Sequence, residues 1–248
     1  NAGANRLDIR QRAVSANTNN GLNVPNLYAI SNSKTTPSIS NSRSDLRSNS
    51  LFAFGDFEYG KFASVTWAVR NDWFSTLPVN NNQLLSPSVG ASFVFSEFTR
   101  DALPFMTFGK VFGSWGKKPK TLGPYALNLN YSVNALLWGS NFLMSTPDGT
   151  PDANLRGALT TTWEGGLDFR FAKNRINLTL TYYFEDNKDE PLGVAVSGVS
   201  GFTSQTINAA WVQRKGIEVE LGGQIIKKKD LSWNVNATFG YLIDNPVK

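Results

Sequence analysis

The sequence predicts an all-β protein: an antiparallel transmembrane β-barrel segment that is part of a large barrel, with long extracellular loops and short periplasmic turns. Three observations predict this fold. Segments of about ten residues alternate polar with apolar side chains, aromatic residues lie near the ends of the apolar faces, and short turns alternate with long connections. No uninterrupted apolar run approaches the ~20 residues that a helical span needs, which excludes a helical membrane protein.

The composition narrows the functional classes. The 248 residues include 17 Phe, 7 Trp and 7 Tyr but no Cys and no His, and the net charge is +5. Without thiols and imidazoles, disulfides, thiolate chemistry and the commonest general-base and metal ligands are missing, so we predict no enzyme activity and no cofactor. The basic run at residues 227–229 is interpreted as a solvated turn, and no nucleic-acid partner is predicted, because no stripe of basic and aromatic residues accompanies it.

Residues 1–48 differ in texture from the rest of the chain. They are rich in Asn and Ser, carry Pro25 and Pro37, and show no helical or strand periodicity beyond a few residues. We interpret them as an extracellular-type loop segment. Residues 49–248 are predicted to be the strands of a partial barrel.

The alternation of polar and apolar side chains predicts the individual strands. Residues 62–72 place Val65 and Trp67 on one face and Arg70 and Asp72 on the other. Residues 88–96 repeat this pattern, whereas residues 105–115 are less regular because both of their faces carry aromatic side chains. Two hairpins follow, with strands and turns at residues 163–171, 172–175 and 176–185, and at residues 217–225, 227–230 and 231–241.

The connections are of two kinds. Short turns are predicted at residues 60–61, 172–175 and 227–230, and long connections at residues 74–87, 116–162 and 186–210. This asymmetry is typical of outer-membrane barrels, whose periplasmic turns are short and whose extracellular loops are long.

A soluble sheet also alternates, with its polar face in water, and a soluble all-β binding or adhesion module is therefore the alternative. Strand length favours the membrane, because ~9–11 residues cross a bilayer when the strand is tilted. Lipid cannot satisfy an open sheet edge, so such strands belong to a closed barrel whose polar face lines a hydrated lumen. No substrate-binding residue is identified, but the lumen-facing candidates are Arg70, Asp72, Glu164, Asp168, Arg170, Glu218 and Glu220.

Three further groups of residues each leave alternatives open. Glu218 and Glu220 could present paired carboxylates to a sugar, as in glycosidases, or be ordinary charges of a polar lumen. Asp186, Asp189 and Glu190 could hold calcium or be solvated in a loop. Aromatic residues of a long connection could stack on sugar rings, contact a lid or fold the loop onto itself; they are Tyr125, Tyr131, Trp138 and Phe142.

Several strings, collinear along the chain, carry a family resemblance. The longest are RNDWFSTLP at residues 70–78 and WEGGLDFRF at residues 163–171. Shorter ones lie at residues 21–33, 86–89, 95–97, 108–110, 113–116, 174–176, 207–210 and 215–220. Together they resemble the SusC/RagA-like TonB-dependent outer-membrane transporters of the Bacteroidetes. One string departs, because the family usually has Lys-Pro-Glu after an Asn-Leu pair, whereas here Arg156 follows Asn154 and Leu155.

The resemblance implies a function that the periodicity does not. It implies import of glycan or peptide oligomers across the cell outer membrane, driven by the TonB complex, with a SusD-like surface lipoprotein as lid. Outer-membrane lipid would surround the barrel. The matched strings cover barrel strands only, and we expect the family's plug and TonB-contacting segment to be absent from these residues.

Overall fold

The computed structural model describes residues 1–244, except for the side chains of residues 134–137. Within that range the strands are β1 Ala2–Leu22, β2 Ser33–Tyr59, β3 Ala63–Phe74, β4 Gln83–Phe93, β5 Met106–Lys120, β6 Ser132–Trp138, β7 Asn141–Ser145, β8 Gly149–Pro151, β9 Ala158–Phe171, β10 Ile176–Ala195, β11 Ser204–Lys227 and β12 Ser232–Asp244. Helical turns are limited to α1 at Ser96–Thr99 and to 3-10 turns at Ile30–Asn32, Val79–Asn81 and Gly198–Ser200. None of the helices described in residues 1–244 is long and apolar enough to cross a membrane.

One large sheet dominates the fold. Its strand order is β1-β2-β3-β4-β5-β9-β10-β11-β12, and all of these neighbours are antiparallel. Strand β8 adds a short parallel pairing to β11, and β6 with β7 forms a separate hairpin. The sheet is therefore a wall of strands in nearly sequential order, with β1 and β12 as the end strands.

The predicted turns all lie at one end of this sheet, here called the turn end. Three consecutive residues, Ala172, Lys173 and Asn174, have positive φ angles in the turn that joins β9 to β10. The backbone N–H of Arg175 closes this turn on the carbonyl oxygen of Phe171 at 3.0 Å. The turns at residues 60–62 and 228–231 are equally short, and of the basic run Lys228 and Lys229 lie in the latter turn, whereas Lys227 ends β11. The opposite end, called the loop end, carries the connections at residues 23–32, 75–82, 121–157 and 196–203, whereas the connection at residues 94–105 between β4 and β5 lies at the turn end.

The two faces of the sheet differ as the alternation predicts. Cross-strand partners such as Trp67 and Val89, or Trp115 and Trp163, lie on one face, which we call the apolar face. Large side chains on it remain exposed, among them Trp67, Val89, Trp163, Leu221 and Phe239. Among the side chains that the structure describes, which exclude those of residues 134–137, the buried apolar ones are Leu77, Leu84, Met106, Leu155 and Ala158. A soluble sandwich would bury its apolar face in a core, whereas this face is arranged for a surrounding lipid phase.

The prediction of an irregular loop for residues 1–48 is wrong. Strands β1 and β2 pair continuously there, from Ala2 opposite Ala53 to Asn17 opposite Ser38. Polar contacts, such as the 2.7 Å bond between the hydroxyls of Ser15 and Ser40, replace apolar cross-strand contacts. Pro37, which has no N–H to donate, falls in a register shift of the ladder, where a missing donor costs nothing.

The predicted long connections are shorter in the structure because the strands continue. The three connections shrink to residues 75–82, 121–157 and 196–203. Strand β10 has 20 residues and β11 has 24, about twice what is needed to cross a bilayer. The long hairpins therefore extend beyond the membrane-crossing part of the sheet at the loop end.

Candidate functional site

All seven predicted lumen candidates lie on one face of the sheet. Register places Arg70 opposite Ser86, Glu164 opposite Ser114, and Asp168 opposite Lys110. The other members follow by the same cross-strand pairing: Asp72, Arg170, Glu218 and Glu220. This polar face is the side of the sheet opposite the apolar face. That it lines a lumen remains a prediction.

Arg70 and Asp72 form a closed cluster with Ser50. The guanidinium Nε of Arg70 donates to Asp72 Oδ1 at 2.8 Å and to Oδ2 at 3.0 Å. The Ser50 hydroxyl donates to Asp72 Oδ1 at 2.5 Å and accepts from Arg70 Nη2 at 2.8 Å. Asp72 is only 3% exposed, so its charge is balanced by Arg70 and not presented to a ligand. This pair joins β2 to β3 and has a structural role.

A second group lies near the turn end on β5 and β9. The Arg170 guanidinium lies 4.8 Å from the ring centre of Phe108, and the Lys110 ammonium lies 5.2 Å from that of Phe112. Asp168 is 3.8 Å from Arg170 and directly opposite Lys110. The aromatic rings stabilise both cations on the polar face, and the carboxylate of Asp168 balances part of their charge.

Glu218 and Glu220 have little around them. They lie exposed on β11, opposite Thr181 and Thr179 of β10, and neither forms an ion pair in the part of the chain that the structure describes. Their immediate partners on β12 are Gly240 and Thr238. Two bare carboxylates without an enclosing pocket fit a hydrated polar wall better than a glycosidase site.

Sequence reasoning missed one polar site, which lies at the loop end of the polar face. It is a cavity of about 300 Å³ between β5, β9, β10 and β11, here called the upper groove. Its polar lining comprises Lys118, Lys120, Thr160, Glu185, Asn187, Glu190 and Arg214. The signal was hidden because five of these seven residues, all except Glu185 and Arg214, fall in stretches that the sequence indicates as connections.

A β-bulge builds one side of the upper groove. Register shifts between Asn187 and Glu190, where Asp189 has a φ of 59°. Three positions apart on a regular strand, Asn187 and Glu190 would face opposite sides; the bulge brings both to the polar face. Glu190 then accepts a 2.7 Å bond from Lys120, and Asn187 accepts one from Thr160.

The charges of the upper groove are mixed. Glu185 is 3.5 Å from Arg214, and Glu190 is bonded to Lys120. Lys118 forms no ion pair within the described range. A groove with alternating charges and one unpaired ammonium can hold polar, hydrogen-bonding chains at several points, but it presents no nucleophile and base in contact.

The acidic residues considered as a calcium site do not come together. Asp186 lies in a strand and accepts bonds from Trp211, from Gln213 at 3.3 Å and from Lys188 at 3.2 Å. Burial raises the pKa of Asp186, but these hydrogen bonds outweigh it, so the net pKa is lowered. Asp189 lies 3.6 Å from Arg156 instead. Among the described residues no group of three possible ligands could hold a metal ion.

The four loop aromatics lie around the β6–β7 hairpin of the 121–157 connection. All are exposed, Trp138 by 75% and Phe142 by 72%, so they do not fold the loop onto itself. Sugar stacking and lid contact both remain predictions. The base of the connection is well fixed, since Leu155 is 1% exposed and Arg156 exchanges two hydrogen bonds with Asn208 at 2.8 and 2.9 Å.

Comparison with known proteins adds the family. The family described as TonB dependent receptor-like, beta-barrel, matches residues 3–248. The chain belongs to this family. TonB-dependent receptor barrels are outer-membrane structures, which agrees with the exposed apolar face and confirms both the predicted fold class and the resemblance described above.

Relatives of this TonB-dependent receptor barrel segment are much longer. It is 27% identical over 211 residues to TonB-dependent receptor P26 of Formosa agariphila, which covers 82% of this chain and 21% of that protein. It is 27% identical over 113 residues to TonB-dependent receptor SusC of Bacteroides thetaiotaomicron, covering 45% of this chain and 11% of that protein. The chain thus spans about a fifth or less of these curated relatives.

Solved structures show the same fold. The RagAB peptide transporter superposes with a TM-score of 0.79 at 20% identity, covering 99% of this chain and 27% of that chain. The siderophore receptor PirA from Pseudomonas aeruginosa gives a TM-score of 0.54 at 22% identity, covering 81% of this chain and 32% of that one. The relatives are receptors and transporters, not enzymes.

Proposed function

We propose that this chain is part of the wall of a TonB-dependent outer-membrane transporter that imports glycan or peptide oligomers. The observation that carries the proposal is the upper groove, a mixed-charge cavity on the polar face at the loop end. An oligomer of sugars or amino acids offers many hydrogen-bonding groups, and such a groove provides donors and acceptors for several of them at once.

The remaining parts of the proposal concern the whole protein. A SusD-like lipoprotein would cover the loop end, and the TonB complex would act through the plug portion. Support comes from the names of the relatives, which are TonB-dependent receptors including SusC, and from the fold of the RagAB peptide transporter. A soluble adhesion module is disfavoured because the sheet exposes a continuous row of large apolar side chains.

The test compares two adjacent lysines on opposite faces of β5. Lys118 lines the upper groove, whereas Lys117 lies opposite Thr161 on the other face. The nutrient is the oligomer on which growth depends on this gene. In the full-length protein, Lys118→Glu should slow growth on that oligomer by up to about ten-fold, because one favourable charge becomes repulsive. Lys117→Glu should leave growth unchanged.

The oligomer itself is found by deleting the gene and screening glycans and peptides as sole nutrients. Heat-modifiable migration of each variant reports whether the barrel has assembled. Unchanged growth of the deletion strain on every glycan and peptide would contradict the transport proposal. Equal growth of the two lysine variants, with both barrels assembled, would remove the upper groove from the transport path.

A further inference from the structure

The outward side of the β1–β2 hairpin carries a cluster of arginines. The arginine cluster consists of Arg6, Arg10, Arg12, Arg43 and Arg47, all of them exposed. Register connects it to the apolar face: Arg6 lies opposite Asn49, which lies opposite Trp73, and Trp73 shares a face with Val69. The cluster therefore continues the apolar face toward the loop end.

The height of the arginine cluster along the sheet places it at the upper boundary of the hydrocarbon layer. From Tyr59 to Asn49 strand β2 advances about ten residues, roughly 33 Å along the strand. With a tilt of about 40° this corresponds to a height of roughly 25 Å, the height of the apolar band of an outer-membrane barrel. Arg47 is the next residue on the same face beyond Asn49. The arginine cluster thus begins where hydrocarbon gives way to lipid head groups.

The cluster holds more positive charge than its own acids balance. Asp8 pairs with Arg47 at 2.6 Å and with Arg6 at 2.8 Å, and Asp45 pairs with Arg43 at 2.7 Å. Five arginines against two aspartates leave a net charge of +3. Arg10 and Arg12 form no ion pair within residues 1–244.

Two of these arginines oppose each other directly. Arg12 is the cross-strand partner of Arg43, with β-carbons ~5 Å apart in such a pair. Like charges at this position destabilise a sheet, and here Asp45 balances Arg43 whereas Arg12 has no acidic partner within residues 1–244. A shallow cavity of about 280 Å³ opens beside the pair, and its charged lining is Arg10, Arg43 and Arg47 with the two carboxylates Asp8 and Asp45, so the cations outnumber the acids. The geometry is that of an anion site on the outer surface of the wall.

We propose that the arginine cluster binds the phosphate groups of an outer-leaflet lipid. The proposal rests on the outer-membrane placement in the proposed function. Guanidinium groups match phosphate oxygens with two parallel hydrogen bonds, and they keep their charge at any physiological pH. The acyl chains of the same lipid would lie along the apolar face directly below. The bound lipid would balance the opposed pair and fix the height of the β1–β2 hairpin in the membrane.

The experiment measures lipid binding to the detergent-solubilised full-length protein by native mass spectrometry. The probes are lipid A, dephosphorylated lipid A and inorganic phosphate. In R10Q/R12Q the affinity for lipid A should fall on the order of 25-fold, about five-fold for each basic residue near a membrane surface. These two residues make no ion pair, so their replacement leaves the barrel assembled. R10K/R12K should retain an intermediate affinity, because lysine keeps the charge but not the fork of donors.

The matched control is K228Q/K229Q, which removes the same charge at the turn end. Its lipid A affinity should equal that of the wild type. An equal loss in both double variants, or equal binding of dephosphorylated lipid A, would overturn the proposal. Competition by inorganic phosphate as strong as that of lipid A would make this a site for the free anion and overturn the lipid assignment. Lipid A binding without nutrient uptake would contradict the transport role alone, and uptake without lipid A binding would contradict this proposal alone.

Discussion

The turn end and the loop end of the same sheet differ in whether apolar and polar side chains alternate along the strands. Near the turns, β3 alternates strictly, with Val65 and Trp67 on the apolar face and polar side chains between them. Beyond the band, the β1–β2 hairpin carries arginine and serine on its two faces with no apolar row. The comparison shows that alternation reports a contrast between two environments, lipid and water. A strand with water on both sides has no reason to alternate, yet its backbone ladder continues unchanged.

A charged residue placed on the apolar face should show the largest difference in stability between the two regions. Val69 and Val14 lie on the same face, 37% and 76% exposed, but Val69 is within the band and Val14 is beyond it. Val69→Arg should destabilise the barrel by about 2–4 kcal/mol, because the cation must leave water for hydrocarbon. Val14→Arg should cost close to nothing. Urea unfolding of the full-length protein in vesicles measures both, and equal costs would contradict the assignment of lipid to one region only.

The ion pairs of the two regions offer a second, smaller contrast. Asp72→Ala leaves the Arg70 guanidinium and the Ser50 hydroxyl without their buried acceptor, and should cost about 1–3 kcal/mol. Asp45→Ala removes the carboxylate paired with Arg43 on the exposed hairpin, where water replaces it readily, and should change stability little. The same unfolding assay compares them. A larger loss for the Asp45 variant would reverse the expected order.

Acid should weaken the pairing of β10 and β11 at the loop end through protonation of Asp186. This is the smallest of the three expected effects. The folded-state pKa of Asp186 is lowered, so its hydrogen bonds contribute stability fully above the ordinary carboxyl pKa, and this contribution is lost as the pH falls through the lowered value. Below about pH 4 hydrogen exchange in β10 and β11 near Trp211 should therefore accelerate. Asp186→Asn should show fast exchange already at neutral pH. Exchange that stays slow in this variant would show that the carboxylate does not hold the two strands together.

The sequence predicts the fold correctly where a strand has lipid on one side and water on the other. The β9–β10 hairpin was readable because Leu167 and Leu180 repeat on one face and a four-residue turn sets the register. Residues 1–48 were not readable, since a polar ladder of serine, asparagine and arginine has the composition of a loop. Pro37 strengthened that impression, although the strand accommodates it at a shift in register.

The candidate site was predictable only as a face. Cross-strand register puts all seven predicted residues on the polar face, as the alternation requires. The pairing of Arg70 with Asp72 could not be read, because adjacent same-face residues can pair with each other or with a ligand. The upper groove depends on the bulge between Asn187 and Glu190, and one extra residue in a strand leaves no mark in hydrophobic periodicity.

The 121–157 connection is divided into a fixed base and a projecting hairpin. Leu155 and the Asn208 bonds hold the base to the wall, and an added Cβ at Gly157 would lie 2.5 Å from Leu84. The β6–β7 hairpin pairs only within itself in the described residues. Sequence change is thereby confined: substitutions near Gly157 disturb the wall, whereas the hairpin is free to diversify in length and chemistry. The β6–β7 hairpin is therefore a surface segment that can vary between homologous proteins while the base that holds it stays the same.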